Sequence, residues 1–179
     1  MKYRDFQIGR DLPSLLGSTY LVHGETNVVY TARETFTFSF EVPGRAVRGK
    51  PTGEEGKPRV GVVVASASPA GLAVQIADAL TSPQSGVILT DRRLAVFKLV
   101  PADPSLKEST FMDGLRDLGR TLRGKEEFPP YPMACSTVSE FPASIASYQG
   151  VHKEKPMNCV KADYHRIAFH DGSVLGLLA

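Results

Sequence analysis

The chain has 179 residues, of which 42% are hydrophobic and 22% charged, and its 21 Lys+Arg against 19 Asp+Glu give a formal net charge of +2. This length suits one domain with its own hydrophobic core, and the composition excludes wholesale disorder. A dedicated nucleic-acid-binding protein would carry a larger basic excess, so we expect no nucleic-acid partner.

Cysteine usage and the N-terminal residues predict a cytoplasmic protein. The two cysteines, Cys135 and Cys159, are too few for a disulfide scaffold, and we expect them to be separate buried thiols. The charged residues that open the chain are not followed by the apolar core of a signal peptide. The longest uncharged run, from Val60 to Ala77, is too short and too rich in small polar residues to predict a membrane span.

The N-terminal third divides into an arm and the start of a β domain. Residues 1–18 are predicted to form an irregular N-terminal arm, and residues 19–179 a single domain. The apolar runs Tyr20–Val22 and Val28–Tyr30 predict short strands. The stretch Glu34–Val42 alternates strictly, with its three phenylalanines on one face and polar side chains on the other. This period of two predicts a half-buried strand.

A long basic segment, Pro43 to Arg59, follows that strand. It contains three prolines and four glycines, and its five basic and two acidic residues give it a net charge of +3. Its Gly44–Lys50 segment has the spacing of a phosphate-binding P-loop. However, Pro51 stands where Ser or Thr should hold magnesium, and the residues beyond it do not predict a helix. We therefore interpret the segment as a surface loop.

The middle of the chain predicts a strand, a helix and a hairpin. Val60–Ala65 is rich in β-branched residues, which predicts a buried strand. Apolar residues at helical spacing predict a helix over Pro69–Leu80, with Ser68 as its N-cap. The apolar runs on either side of Asp91–Arg93 predict a β-hairpin.

These segments also allow a different architecture. The strand Val60–Ala65, the helix and the run Val87–Leu89 would form a βαβ unit of a parallel sheet, with a nucleotide at the Ser66–Pro69 turn. The hairpins and the alternating phenylalanine strand favour antiparallel pairing instead. A nucleotide-binding α/β domain therefore stays an alternative.

The last third of the chain begins with a predicted helical insertion. Residues 101–128 form this insertion, and its apolar stripe predicts a helix over Phe111–Leu122. The Pro-rich segment Pro129–Pro142 is predicted to run along a sheet edge. Short strands are expected at Ile145–Tyr148 and Met157–Val160. The Asp171–Gly172 pair between two apolar runs predicts a second hairpin.

Residue types that carry catalysis or hold metals are scattered along the sequence. Cys135, His152, Cys159 and His165 lack the close ligand pair of a zinc site, so we predict no metal and no cofactor. The common nucleophile, dinucleotide and zinc-protease motifs are missing, and we assign no catalytic residue. Because the partners of a nucleophile meet only in space, a small cytosolic hydrolase or transferase with a Cys or Ser nucleophile stays a second alternative.

Two segments together resemble a known family. Gly86–Phe97 resembles the "LTDRRL" hairpin of bacterial pleckstrin-homology-like and GRAM-like domains, and His165–Leu175 resembles their later "F-x-DGS" hairpin. The resemblance implies a strongly bent antiparallel sheet closed at one end by a C-terminal helix. It also implies a non-catalytic binding module for lipid headgroups, peptides or partner proteins. Since the sequence ends soon after the last predicted strand, we expect the Phe111–Leu122 helix or a homodimer to cover the open end.

The resulting fold prediction is mainly β (α+β). It is a pleckstrin-homology-like, strongly bent antiparallel sheet or partly open barrel with two short helices. Nine apolar residues from the alternating segments are expected to line its core. They are Phe36, Phe38, Phe40, Val62, Val64, Leu89, Val96, Ile167 and Phe169.

The predicted function is a non-catalytic binding or adaptor module for a partner protein or an anionic intracellular membrane surface. In the second case the protein would associate peripherally with the inner face of the membrane. Each basic residue near an anionic membrane contributes about 1 kcal/mol to binding. The candidate binding residues are therefore the cations of the Pro43–Arg59 loop and one cation of the first hairpin. They are Arg45, Arg48, Lys50, Lys57, Arg59 and Arg92.

Overall fold

A computed structural model describes residues 3–46, 59–103, 105, 129–156 and 159–179. Over these ranges the chain is mainly β. Its helices are α1 (Ile8–Tyr20), α2 (Leu72–Ala79) and a single turn of 3-10 helix (Ala143–Ile145). Its strands are β1 (Asn27–Arg33), β2 (Phe38–Glu41), β3 (Val62–Ala65), β4 (Ser85–Thr90), β5 (Arg93–Pro101), β6 (Met133–Pro142), β7 (Ala146–Glu154), β8 (Ala162–Phe169) and β9 (Val174–Leu178).

The strands form two sheets. A four-stranded sheet has the order β1-β4-β5-β6, and a five-stranded sheet has the order β2-β3-β9-β8-β7. Neighbours pair antiparallel in β1–β4, β4–β5, β3–β9, β8–β9 and β7–β8, whereas β2 and β3 pair in parallel. The predicted mainly β fold with antiparallel hairpins is therefore confirmed, with one parallel pair at a sheet edge.

The chain also divides into two compact units. One consists of Met1–Val22 and Leu99–Ser136, and the other of His23–Lys98 and Thr137–Ala179. The larger unit contains the five-stranded sheet, helix α2 and both hairpins of the sequence analysis. The candidate site described below lies entirely within this larger unit.

The βαβ alternative is wrong. Strands β3 and β4, which flank helix α2, belong to different sheets. Val62–Ala65 pairs antiparallel with β9, whereas Ser85–Thr90 pairs with β1 and β5. A Cβ atom at Gly86 of β4 would lie 2.5 Å from Phe97 Cζ on β5 and 2.6 Å from the Thr31 carbonyl oxygen on β1. Only glycine therefore fits at this position between the two antiparallel neighbours.

The irregular arm predicted over the first 18 residues is also wrong, because Ile8–Tyr20 is helical. Leu12, Leu16 and Tyr20 are buried at a spacing of four residues, which is a helical period. The helix contains Pro13 and two glycines, residue types that disfavour a helix interior, so the local sequence did not predict it. Tyr20 ends the helix, so the strand predicted at Tyr20–Val22 does not form.

A bend shortens the phenylalanine strand at its start. Only Phe38–Glu41 pairs as a strand, because the chain bends at Glu34 and Thr35 between the two sheets. The Glu34 carbonyl accepts a hydrogen bond of 2.9 Å from the Gln84 amide at this bend. The alternation still predicts the faces correctly, since Phe38 and Phe40 enter the core and their rings stack with centroids 6.0 Å apart.

The main hydrophobic core lies in the larger unit and confirms the predicted residues. Eight of the nine are buried in one cluster, and Phe36 packs against it half-buried. Helix α2 adds Ala73, Val74, Ile76 and Ala77 to the same cluster. Burying a single valine, leucine, isoleucine or phenylalanine side chain stabilises a fold by about 1.5–3 kcal/mol.

Helix α2 confirms the predicted helix but begins at Leu72, and Ser68 is not its N-cap. Side chains of the second hairpin instead accept the hydrogen bonds that its first two amides donate. Asp171 Oδ2 accepts from the Leu72 amide at 2.7 Å, and Ser173 Oγ accepts from the Ala73 amide at 3.0 Å. Ser68 Oγ accepts from the Ala70 amide at 3.2 Å, inside the preceding turn. The "F-x-DGS" hairpin therefore caps a helix about 100 residues earlier in the chain.

The other predicted elements have different outcomes. Pro129–Pro142 supplies β6, the outer strand of the four-stranded sheet, as predicted. In the predicted strand Met157–Val160, Cys159 and Val160 are not strand residues, and the other two residues lie outside the described part of the chain. The predicted Phe111–Leu122 helix lies outside it as well. Within the described residues, neither α-helix is long and apolar enough to cross a membrane.

Candidate functional site

Among the predicted binding residues, Arg45 is held in the fold of the larger unit. Its guanidinium donates two hydrogen bonds to the Asp78 carboxylate, at 2.9 Å and 2.8 Å. It also lies over the Phe40 ring, 5.5 Å from the centroid. The hydrogen bonds to Asp78 raise the pKa of Arg45 above its usual value. Arg45 therefore links the end of β2 to helix α2, and its charge is balanced locally.

The structure does not bring the described candidate cations together. Arg45 follows the C-terminal end of β2, whereas Arg59 precedes the N-terminal end of β3. Because β2 and β3 are parallel, the two arginines lie at opposite ends of this strand pair. Arg92 is exposed in the turn between β4 and β5 of the other sheet. Arg48, Lys50 and Lys57 lie outside the described residues.

The "LTDRRL" hairpin contains an internal ion pair that involves Arg93. The Arg93 guanidinium contacts the two Glu25 carboxylate oxygens at 2.6 Å and 3.1 Å. The Thr90 hydroxyl donates to the same carboxylate at 2.8 Å, and Arg93 also contacts Glu140 at 3.3 Å. Burial raises the pKa of Glu25, but the hydrogen bonds from Arg93 and Thr90 outweigh it and the pKa lies below its usual value.

Asp91 fixes the same hairpin from its other side. Its carboxylate accepts a hydrogen bond of 2.8 Å from the Thr26 amide, and its own amide donates to the Thr26 carbonyl at 3.0 Å. Together with the Glu25–Arg93 pair, these bonds hold the segment before β1 against the turn. The side chains of Thr90, Asp91 and Arg93 thus stabilise the fold, whereas the Arg92 side chain is exposed.

Both cysteines are free thiols, Cys159 buried and Cys135 half-buried. Burial raises the pKa of Cys135 to about 11, against a smaller opposing effect of a hydrogen bond with Thr19. Cys159 is 7% exposed and packs in a small apolar cluster with Val60, Val63 and Tyr164. A nucleophilic cysteine needs a lowered pKa and access to substrate. These surroundings argue against the thiol version of the enzyme alternative.

The imidazoles of the scattered Cys and His set make local contacts. The Nδ1 atom of His165 lies 2.9 Å from the Tyr148 hydroxyl, and the Nε2 atom of His152 lies 2.8 Å from the Gln149 carbonyl oxygen. In the described ranges of the chain, no three His, Cys, Asp or Glu side chains gather closely enough to hold a metal ion.

A cleft on the five-stranded sheet is the strongest candidate site. Side chains alternate along a strand, so Val62 and Val64 enter the core and their neighbours Val63 and Ala65 point to the opposite face. We call this opposite face the outer face. Strand register places two rows of residues across it. The first row is Ser39, Val63, Gly176 and Arg166, and the second is Glu41, Ala65, Val174 and Ala168.

The outer cleft lies across these two rows and has a volume of about 340 Å³. Its floor is formed by small apolar residues of β3 and β9, and its rim by charged residues of β2, β7 and β8 and the segment after β7. The floor residues are Val63, Ala65, Val174 and Gly176. The charged rim residues are Glu41, Glu154, Lys155 and Arg166.

Glu154 and Arg166 form one side of the rim. Arg166 NH1 contacts Glu154 Oε1 at 3.3 Å. The second carboxylate oxygen, Oε2, lies 3.5 Å from the position that a Cβ atom on Gly176 would occupy. The Glu154 carboxylate therefore lies directly over the floor at Gly176. Arg166 Nε is buried and has no hydrogen-bond partner among the described residues.

The remaining two rim charges are exposed. Neither the Glu41 carboxylate nor the Lys155 ammonium makes an ion pair or side-chain hydrogen bond with the part of the chain that the structure describes. Glu41 lies on β2, the edge strand, across β3 and β9 from Arg166. Two negative and two positive groups thus surround an apolar floor. This arrangement suits a ligand that combines apolar surface with charge.

Sequence reasoning missed the outer cleft because its residues come from five separate segments. The only local signal in the sequence is that two small residues, Val174 and Gly176, fall on the same face of the last strand. The composition of that strand gives no information on which charged residues register places beside it.

Comparison with known proteins finds no matching family model, no matching curated protein and no matching solved structure. The resemblance to pleckstrin-homology-like domains therefore stays a prediction.

Proposed function

We propose that the chain is a non-catalytic binding module that engages a partner protein through the outer cleft. The single observation that carries this proposal is the apolar floor enclosed by a rim of both charge signs. Protein interfaces commonly combine an apolar centre with a polar rim in this way. The two sheets act as a scaffold that presents the cleft.

The outer cleft supports a protein partner better than an anionic membrane. Two of its four charged rim residues, Glu41 and Glu154, are carboxylates that repel anionic headgroups. Arg45, one of the cations proposed for membrane binding, is balanced by Asp78. Electrostatic membrane attachment requires a net excess of cations on one surface, and the outer cleft has none.

The size of the outer cleft suits a short segment of the partner. A volume of about 340 Å³ accommodates a few side chains. A short segment in a cleft of this volume buries less surface area than the interface of a stable globular complex. We therefore expect reversible binding with a Kd on the order of micromolar.

Selection of displayed peptides on the immobilised full chain tests this proposal. Ala65→Gln places a longer side chain on the floor, and Ala168→Gln is the matched control. The control residue lies in the same row of the outer face but does not line the outer cleft. Before use, both variants are checked for wild-type unfolding transitions. We expect selected peptides to lose more than about tenfold in affinity with Ala65→Gln and less than about twofold with Ala168→Gln.

Two results would overturn the proposal. One is a selection that enriches no peptide above the uncoated surface. The other is peptide binding that Ala65→Gln and Ala168→Gln change equally.

A parallel sedimentation experiment with phosphatidylserine vesicles tests the alternative that the chain binds an anionic membrane. Salt-sensitive sedimentation of the wild type that is lost in the combined Arg48→Ala, Lys50→Ala and Lys57→Ala variant would replace the protein partner with a membrane.

A further inference from the structure

We infer that two copies of the chain associate through strand β1, whose free edges pair antiparallel and join the two four-stranded sheets into one. This inference goes beyond the proposed function, because β1 does not line the outer cleft. It depends on three features of β1: its free edge, its uncharged side chains and the charges at its two ends.

Strand β1 is an edge strand with exposed apolar side chains. It lies at one end of the four-stranded sheet and pairs with β4 alone among the described strands. Val28 is 41% exposed and Tyr30 is 36% exposed, and Asn27 beside them is exposed as well. Alternate backbone amides and carbonyls of an edge strand point away from its sheet. They can therefore pair with an extended strand of another chain.

The other three edge strands have features that hinder such pairing. β2 has only four residues. β6 carries Glu140 and ends at Pro142, and β7 carries Lys153 and is interrupted at Gly150, which has a φ of +84°. Short length, charges, prolines and bulges are the means by which sheet edges avoid association. β1 has a register irregularity only near its start, and Val29–Arg33 pairs regularly with β4.

The residues of β1 suit a second copy of the same strand. Asn27–Ala32 contains no charged residue, proline or glycine, and three of its six residues are β-branched. Residues of this kind favour strand pairing between chains. Because an antiparallel pair about a two-fold axis uses the same strand twice, β1 meets these requirements on both sides. With the axis at Tyr30, the two tyrosines lie opposite each other and Val28 lies opposite the partner's Ala32.

Each end of β1 carries one cation and one anion. At the C-terminal end, Arg33 makes no ion pair with the described residues and is followed by the exposed Glu34. At the N-terminal end, the Asp91 carboxylate accepts a hydrogen bond of 2.8 Å from the Thr26 amide, and Arg92 is exposed beside it. Since both ends are neutral overall, bringing them together creates no net repulsion.

The antiparallel orientation also separates the only charged residue of the strand from its copy. With the axis at Tyr30, Arg33 lies opposite the partner's Asn27, on the side where the partner's Asp91 is bound. The two Arg33 residues are then six residues apart along the pair, or about 20 Å. A parallel pair in register would place them side by side, and like charges directly opposite each other destabilise a strand pair.

Sedimentation velocity of the full chain between about 10 µM and about 1 mM tests this inference. One pair of short strands buries less area than a permanent dimer needs, so we expect a Kd on the order of 100 µM. Val28→Lys adds a charge to the β1 edge, close to the partner's Arg33. Val151→Lys is the matched control, because Val151 is a 53% exposed valine of another edge strand, β7.

Both variants are first checked for wild-type unfolding transitions. We expect Val28→Lys to weaken the dimer more than about tenfold and Val151→Lys to change its Kd less than about twofold. Amide hydrogen exchange at low and high protein concentration then locates the interface. The amides of β1 are expected to exchange more slowly at high concentration, and those of β7 at the same rate.

Three results would overturn the inference. The first is a wild-type chain that stays monomeric over the whole concentration range. The second is a dimer that Val28→Lys and Val151→Lys weaken equally, or that Val28→Lys leaves intact. The third is a dimer whose concentration-dependent protection falls on another strand. Peptide binding at the outer cleft is measured with different variants, so each proposal can fail without the other.

Discussion

Arg92 and Arg93 are adjacent in the sequence and have different roles in the fold. Arg93 pairs with Glu25, whose side chain is only 5% exposed, whereas Arg92 is exposed in the turn. Removing one partner of a buried ion pair leaves an uncompensated charge in the interior. The motif letters alone did not show which arginine is structural, because Glu25 lies 68 residues earlier in the chain.

Arg93→Met is therefore expected to lower the free energy of unfolding by about 2–3 kcal/mol, while Arg92→Met stays within about 0.5 kcal/mol of wild type. Methionine keeps most of the aliphatic stem, so the comparison isolates the charge. Urea unfolding of the two variants measures both values. Equal destabilisation by the two substitutions would show that the Glu25–Arg93 pair does not hold the hairpin.

Cys135 provides a pH-dependent prediction. A pKa of about 11, in place of the usual thiol value, lowers the thiolate fraction at pH 8 by about a hundredfold. The fold thus favours the protonated thiol, and this contribution to stability is lost as the pH rises from the unfolded-state pKa toward 11. We expect iodoacetamide to modify Cys135 slowly at pH 8 in the native protein and much faster in urea.

Peptide mapping by mass spectrometry follows Cys135 separately from Cys159. Modification of the native protein with a midpoint below about pH 8.5 would contradict the prediction. That result would favour the alternative of a hydrolase or transferase with a cysteine nucleophile.

At the scale of elements, helix α2 depends on a hairpin that is remote in sequence. Ser173 is 1% exposed, and its hydroxyl accepts from the Ala73 amide while donating to Asp171 at 2.6 Å. The apolar period of α2 was predictable because it is a local property. Its cap was not, because the sequence offers Ser68 next to the helix and the tertiary fold supplies Asp171 and Ser173 instead.

Ser173→Ala is expected to lower the free energy of unfolding by about 1–2 kcal/mol, since it leaves the Ala73 amide without its acceptor. Ser68→Ala is the control and should cost less than about 0.5 kcal/mol, because its hydroxyl is exposed. Chemical denaturation measures the difference. A larger effect at Ser68 would show that the local cap, not the hairpin, holds the helix.

The Asp171 carboxylate of this cap predicts that the stability of the fold depends on pH in the acidic range. Burial raises the pKa of Asp171, but the hydrogen bonds from Ser173 and from the Leu72 amide outweigh it, so the pKa lies below its usual value. Its contribution to stability is present above the unfolded-state pKa and is lost as the pH falls through the folded-state value. Asp171→Asn should therefore reduce the loss of stability between about pH 4 and pH 2. An acid limb identical to wild type would contradict this.

Other elements show where local patterns fail. Pro13 and two glycines conceal the helix Ile8–Tyr20, although its buried residues recur at a helical spacing. The strict alternation of Glu34–Val42 predicts the correct faces, but tertiary hydrogen bonds decide where the strand begins. Periodicity thus determines which side chains are buried, and pairing with distant residues determines the element ends.

At the scale of the whole chain, composition and patterning predicted the β class and the core, but they did not predict the candidate site. The outer cleft exists because register brings Glu41, Gly176 and Arg166 onto one face of the five-stranded sheet. Strand order is not encoded in any local segment. Of the six predicted binding cations, the three that the structure describes are either dispersed, as Arg59 and Arg92 are, or paired, as Arg45 is.

The most direct test of a binding site at the outer cleft is to locate peptide binding by amide chemical-shift mapping of the full chain. A selected peptide is titrated into isotopically labelled protein, and the shifts are compared across the two sheets. A binding site at the outer cleft predicts that the largest shifts fall at Ala65, Val174 and Gly176, which form its floor together with Val63. Largest shifts at the Asp91–Arg92 turn or beside Arg59, with the floor unchanged, would contradict it.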